Sequence, residues 1–363
     1  MRVFLDASAA AKAARTGVGH YVARLAPALL AVDPALDLTL GVRFGRVKRG
    51  AHVLRPPAGT EGRARVRWFP SCWPGAGTRG AEVVHGPDAR VVKGGGRQVV
   101  TVHDLFSLKS TQWSDDAFRA KKHARYAEIA ARADAVCTPS HATARDVETL
   151  LKVPRAKLFV TPLGADPSFR PLSAADVAPV LARHRVTAPY VLFVGLAQPR
   201  KNLEAVTTVF GRIAARDDRV QLVLAGPDGY PEGRFPALLK ETGAADRVRH
   251  LGYVPVDDLP ALYGGAAVLL FPSHDEGFGL PALEAMACGC PVVASTAGAL
   301  PEVLGDGGLC FRPDALDDLE EATSRLLDDP EARAAEATRG LARAAAFSWE
   351  ATARATLEAY RVR

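Results

Sequence analysis

Residues Phe271–Ser295 read FPSHDEGFGLPALEAMACGCPVVAS. The apolar run Ala267–Phe271 predicts a short buried strand. Glu276-Gly277-Phe278-Gly279 predicts a loop, and Pro281 suits the first turn of a helix, where its missing N–H costs nothing. Leu283, Met286 and Ala287 give that helix a buried face, Gly289 ends it, and Pro291–Ala294 starts the next strand. Open α/β sheets bind ligands at the carboxyl ends of parallel strands. Glycines let backbone approach a phosphate there, and a helix N-terminus favours its negative charge. Glu276 and Glu284 flank this anion site. Carboxylates do not bind phosphate but accept hydrogen bonds from hydroxyls, so the pattern predicts a ligand with both phosphate and sugar, such as a nucleotide sugar.

Working outward, strands and helices alternate through the chain, which predicts doubly wound parallel sheets. Upstream, strand Tyr190–Val194 leads into Gly195-Leu196-Ala197-Gln198-Pro199-Arg200-Lys201-Asn202 and a helix to Ala215. Strands over Val220–Ala225 and Val248–Leu251 follow. Downstream come a short helix Leu300–Leu304, strand Gly308–Phe311, helix Ala315–Leu327 and a helical tail broken near Phe347-Ser348, where Ser348 can cap the last helix. The first half offers strands at Val3–Leu5, Leu38–Val42, Arg65–Phe69, Val83–His85, Gln98–Val102, Ala135–Thr138 and Leu158–Thr161. Residues 162–189 form the junction. Gly17-Val18-Gly19 lies too far from the first strand for a dinucleotide fingerprint. Val22 stands where its third glycine belongs, which argues against a dehydrogenase.

The segment from Glu276 to Ser295 resembles the signature of retaining glycosyltransferases of family four, whose fold is GT-B; Glu276 and Glu284 match its two acidic positions. The resemblance implies an α/β protein with two Rossmann-like parallel-sheet domains facing a central cleft. These are an acceptor domain over residues 1–166, a nucleotide-sugar domain over 167–346, and a final helix, 347–363, crossing back to the first domain. It implies that Arg200 and Lys201 hold the donor's diphosphate, where charge grows as the glycosidic bond breaks. Some family members carry a further Arg where this chain has Leu196. Glu284 is expected at the ribose hydroxyls and Glu276 beside the donor sugar, with backbone N–H groups of Gly277, Phe278 and Gly279 at the sugar and phosphate. His103-Asp104 resembles a family strand-end pair, with His103 facing the donor sugar and Asp104 orienting it or touching the acceptor. Thr16–Gly19 resembles the family's first glycine loop, so Gly17 and Gly19 join the donor set. His85 ends a strand and is a candidate for the acceptor pocket. The candidate catalytic set is thus Glu276, His103, Lys201 and Arg200.

No Asp-x-Asp triplet occurs. Cationic side chains and a helix dipole are expected to neutralise the diphosphate, with no metal or other cofactor. Cys72, Cys137, Cys288, Cys290 and Cys310 show no framework spacing, which fits a reducing cytoplasm. Cys288 and Cys290 read as small buried residues at a helix–strand junction. No apolar run approaches the roughly 20 residues that span a bilayer, and the start reads as a strand, not a signal peptide. Residues 1–166 carry a balance of +12 and residues 167–363 one of −6. The basic half could meet anionic lipid on the inner face of the membrane or a phosphorylated acceptor. No aromatic-interleaved basic surface points to nucleic acid.

The leading expectation is a retaining transferase moving a sugar from a nucleotide-diphosphate donor to a glycan, lipid-linked or small-molecule acceptor. The Pro-Arg-Lys-Asn form is similar to that of bacterial mannosyl- and rhamnosyltransferases of polysaccharide assembly, which implies GDP-mannose or a related donor. Two alternatives stay open: a sugar phosphorylase or nucleotide-sugar epimerase on the same fold, and a non-enzymatic nucleotide-sugar-binding protein.

Overall fold

The computed structural model describes residues 1–11, 17–44, 55–70, 75 and 77–362. Thr16 and Cys72 lie outside the described residues, as does much of the stretch 43–80. The chain divides into two compact units, Met1–Gly164 with Ser348–Arg363, and Ala165–Phe347.

The first unit is built on seven parallel strands: β1 (Arg2–Asp6), β2 (Asp37–Arg43), β3 (Ala64–Phe69), β4 (Val83–Gly86), β5 (Arg97–Thr101), β6 (Ala135–Thr138) and β7 (Leu158–Val160), in the order β3-β2-β1-β4-β5-β6-β7. The order reverses between β1 and β4, so a crevice opens at their carboxyl ends. The central strands are short and apolar because parallel sheets are covered on both faces; Val83, Val84, Val99 and Val100 are all buried, whereas the edge strand β3 keeps Arg65 and Arg67 exposed. The last helix, Trp349–Arg361, starts at a Ser348 cap whose Oγ accepts from Ala351 N at 3.1 Å. It packs on the helix Gly17–Val32 and the β5–β7 edge.

The second unit has six parallel strands: β8 (Tyr190–Val194), β9 (Gln221–Ala225), β10 (Val248–Gly252), β11 (Val268–Phe271), β12 (Val292–Ser295) and β13 (Leu309–Phe311). Their order is β10-β9-β8-β11-β12-β13. Here the reversal lies between β8 and β11. Phe193, Leu222, Leu224, Leu270 and Val293 form its core with the helices Leu203–Ala214 and Leu316–Asp328. Each such side chain contributes roughly 1.5–3 kcal/mol when fully buried. A helix at Ala174–His184 occupies what reads in sequence as a polar junction. Ser173 caps it, accepting from Asp176 N at 3.2 Å, and it continues through Pro179.

His85 corrects an expectation. It lies at the carboxyl end of β4, one residue before Gly86, but it is fully buried. Its Nδ1 meets the Tyr360 hydroxyl at 2.7 Å and its Nε2 meets Thr101 Oγ1 at 2.7 Å. Thr101 Oγ1 also lies 3.0 Å from the Tyr21 hydroxyl. Burial pushes the imidazole down to about 3, so it stays neutral. With both ring nitrogens occupied inside the core, His85 ties the last helix to the sheet and does not line an acceptor pocket. Tyr360→Phe should therefore lower stability by about 1–3 kcal/mol by orphaning a buried ring nitrogen. Urea unfolding checks this, and the variant should leave nucleotide-induced thermal shifts unchanged.

Candidate active site

The site grows from the carboxyl ends of β8 and β11, on either side of the second sheet's order reversal. After β8 the chain makes one tight turn, Pro199–Lys201, and then Asn202 takes a left-handed conformation (φ 54°). Asn is among the few residues that tolerate that region. Its Oδ1 caps the next helix, accepting from Ala205 N at 3.3 Å. Its Nδ2 donates to the carbonyls of Pro272 and Pro313, each at 3.0 Å. One amide thus joins the loop after β8 to those after β11 and β13. Arg200 O accepts from His274 N at 2.8 Å, a second tie.

These ties hold Arg200 and Lys201 in buried positions, and both reach Glu276. Lys201 Nζ lies 2.5 Å from Glu276 Oε1, and Arg200 Nη1 lies 3.3 Å from Oε2. The same Nη1 donates to Asp275 O at 2.5 Å. Lys201 Nζ also sits 4.8 Å from the centroid of the Phe271 ring, within cation–π range. Burial alone would raise the Glu276 carboxyl. Lys201 and Arg200 outweigh it and hold the group below its usual range, so Glu276 is an anion. Sequence reasoning gave the basic pair and Glu276 to different parts of a ligand; the structure joins them in one buried ion cluster.

The loop Gly277–Gly279 is buried and runs into the helix Leu280–Ala287. Gly279 caps that helix at φ 95°, a conformation suited to glycine. Phe278 turns inward and meets the Phe347 ring edge-on at 5.8 Å, so only its backbone is available to a ligand. Gly298, at φ 58°, supports the loop from below, and a Cβ there would stand 2.3 Å from Glu276 O. Glu284 lies one turn into the helix, partly exposed, and accepts from the Tyr263 hydroxyl at 3.0 Å. Burial, reinforced by Asp166, raises its carboxyl to about 8. Sequence reasoning missed Asn202, Tyr263 and Gly298. The Asn of Pro-Arg-Lys-Asn was a usable signal for the first; nothing near Glu284 in the chain pointed to Tyr263.

In the first unit, His103 follows β5 and is half-buried. Its Nε2 donates to Pro87 O at 2.9 Å, and its ring meets Tyr21 edge-on at 4.8 Å. That bond fixes the tautomer and leaves Nδ1 as the ring's acceptor. Burial lowers its pKa, against an upward pull from Asp104. Asp104 is half-buried, and its carbonyl accepts from the Tyr126 hydroxyl at 3.4 Å. Gly17 and Gly19 lie in the first turn of Gly17–Val32 and not in a loop, so their N–H groups have no partner within that helix. Leu196 is exposed. Among the described residues no group of three or more His, Cys, Asp or Glu could hold a metal, and no helix is long and apolar enough to cross a membrane. Cys288 and Cys290 are buried free thiols.

A family model described as Glycosyltransferase Family 4 matches residues 15–169, and one described as glycosyl transferases group 1 matches residues 182–341. The O-antigen chain mannosyltransferase B of Escherichia coli is 32% identical over 287 residues, which span 77% of this chain and 74% of that relative. The chain belongs to glycosyltransferase family 4. Among solved structures, sucrose-phosphate synthase from Thermosynechococcus elongatus matches this glycosyltransferase at TM-score 0.78 and 24% identity, covering 99% of this chain and 98% of that one. Anabaena HepE, solved with UDP and glucose, matches at TM-score 0.71 and 19% identity over 98% of each chain. The fold is GT-B, two Rossmann-like parallel-sheet units.

The two glutamates should separate cleanly by pH. Glu276 is depressed, so its contribution is present above the ordinary carboxylate range and is lost as pH falls through its folded value. Glu276→Ala should cost roughly 3–5 kcal/mol near neutrality, because it strands two buried cations. Chemical denaturation from pH 3 to 7 reads both effects. Glu284 is raised: between about 4.3 and about 8 the folded chain keeps a proton that the unfolded chain has released. Stability should therefore decline as pH rises through that window, and Glu284→Gln should abolish that component of the decline.

Proposed function

We propose that this glycosyltransferase moves a sugar, mannose or a close relative, from a nucleotide-diphosphate donor to a glycan or lipid-linked acceptor, with retention and without a metal. The observation that carries the reading is the buried Lys201–Glu276–Arg200 cluster at the switch point of the second sheet, with Glu284 one helical turn beyond the glycine loop. The mannosyl assignment follows the Escherichia coli relative, whose name places it in O-antigen chain synthesis. The retaining outcome follows the likeness of the Glu276–Glu284 signature to retaining enzymes.

In this reading the bond between the anomeric carbon and the β-phosphate oxygen breaks, and the diphosphate leaves with the electron pair. Arg200 and Lys201 stabilise that growing charge. Glu276 keeps both cations charged and aimed before the substrate arrives, so little reorganisation is needed at the moment of reaction. The acceptor hydroxyl attacks the same face of the sugar, and its proton passes to the departing phosphate. Neither glutamate forms a bond to the sugar, unlike the carboxylate pair of retaining glycosidases. Gly277–Gly279 supply backbone donors, and the ribose hydroxyls donate to Glu284.

The test is a thermal-shift panel of GDP, UDP, ADP and dTDP with their sugars, followed by product analysis. Stabilisation by at least one nucleotide, and nucleoside diphosphate released only with acceptor, is the expected result. Failure of every nucleotide to stabilise the chain would remove the reading. Nucleotide affinity should rise as pH approaches about 8 and then level off, since binding needs the ionised Glu284. That rise should vanish in Glu284→Gln. Lys201→Ala should lower kcat by about 10²–10³-fold, the range for loss of one preorganised charge-stabilising group. Steady-state kinetics on a variant that still shifts with nucleotide decides this.

A further inference from the structure

The first sheet repeats the topology of the second, and its order also reverses once, between β1 and β4. A cavity of about 160 Å³ opens near the carboxyl ends of β2 and β3 and beside the segment after β4; its charged lining is Arg43, Arg90, Lys93 and Arg125 with one carboxylate, Glu128, among apolar neighbours such as Phe69 and Val92. A smaller crevice adjoins it at the ends of β1 and β4 and shares Arg43 and Arg90. Four cations around one small space are costly to hold together unless anions accompany them.

Three carboxylates stand nearby, and each has a cationic partner. Asp6, buried at the end of β1, pairs with Arg43. Asp88 lies 3.8 Å from Arg125, and Glu128 lies 3.5 Å from Arg132. Among the described residues Arg90 and Lys93 form no ion pair. Arg90 is half-buried, and its Nε is fully enclosed without an acceptor. A buried guanidinium N–H left unmade is expensive. Burial, then the neighbouring Arg43 and Arg125, push the Arg90 pKa down, against a weaker upward pull from Asp6 and Asp88. The backbone that carries Arg90 is tightly fixed. Ala89 takes φ 41°, its N–H donates to Thr101 O at 2.9 Å, and a Cβ on Gly86 would stand 1.8 Å from Arg90 O. The side chain therefore starts from a fixed backbone position.

We propose that the Arg43–Arg90–Arg125 pocket at the first unit's switch point binds a phosphate group of the acceptor, with Arg90 as its principal contact. Arginine's planar fork matches the oxygens of a phosphate, and two further guanidiniums flank it. The acceptor is accordingly a phosphate-bearing molecule, either a soluble sugar phosphate or a lipid-linked sugar phosphate. The assignment rests on the transferase reading but uses a pocket that lies wholly in the other unit from the donor cluster.

Binding is measured on the full chain by calorimetry, with inorganic phosphate, mannose 1-phosphate and a short-chain prenyl diphosphate-linked mannose as probes. GDP and UDP, tested in parallel, report the donor site. The expected result is binding of inorganic phosphate and tighter binding of one of the two sugar phosphates, which identifies the acceptor's source. Arg90→Gln should weaken that binding at least tenfold and leave the nucleotide thermal shift in place. Arg125→Gln, on the partly exposed helix Asp116–Arg132, should weaken it severalfold and serves if Arg90→Gln does not fold. Arg90→Lys should recover part of the loss. A wild-type chain that binds nucleotide but none of the three phosphates overturns the assignment, as does equal phosphate affinity in wild type and both neutral variants. Absence of nucleotide binding with phosphate binding intact would count against the donor reading alone.

Discussion

A carboxylate shared by two buried cations organises the second unit. Taking Lys201, Arg200 and Glu276 out of water carries a desolvation penalty of several kcal/mol per ion, and only close contact repays it. The loops after β8 and β11 must therefore keep a fixed spacing, or charges are stranded. The turn Pro199–Lys201, the Asn202 ties, the Arg200–His274 backbone bond and the close fit of Gly298 beneath Glu276 all serve that spacing. Removing any of them loosens a contact that the unit cannot lose cheaply.

Glu276 and Glu284 show how environment holds one residue type in two charge states. They lie eight residues apart, and the helix start separates them. Glu276 is the more deeply placed, yet it is held as an anion because cations touch it. Glu284 holds its proton to about 8, because burial and the nearby Asp166 outweigh the hydrogen bond it accepts from the Tyr263 hydroxyl. The first is preset before any ligand arrives. In the proposed reading the second ionises when hydroxyl donors are brought to it, which would couple recognition of a ribose to release of a proton.

Much of this was legible in the chain. The central strands were visible as short apolar runs between turn residues, since a strand covered on both faces leaves a continuous apolar signature; the edge strands β3 and β10, with Arg65, Arg67, Arg249 and His250 in them, carry that signature only weakly. The Glu276–Glu284 segment and the Pro-Arg-Lys-Asn turn located the site because their spacing is tied to strand ends. Three things were not legible. The helix Ala174–His184 was obscured by Pro179 and by its near lack of a buried face, Val177 being its one buried residue. His85 and His103 both lie at the carboxyl ends of neighbouring strands of the same sheet, one just inside β4 and one just past β5, and look alike locally. The packing of Tyr360, 275 residues away, puts the first out of reach of any ligand. The contact between Lys201 and Glu276 also depends on which strands become neighbours, and period and composition do not carry strand order.

Asn202 carries no charge and touches no candidate ligand group, yet it is among the least replaceable residues of the loop. The position needs a left-handed backbone, an acceptor for a helix N–H and two donors for carbonyls of separate loops. Glycine meets the first need alone. Aspartate meets the first two but would turn a carboxylate toward Pro272 O and Pro313 O. Alanine meets none. The three loops can therefore drift in sequence only while their lengths stay matched to the reach of one amide, so the tolerance of the site to insertion is set by a neutral side chain.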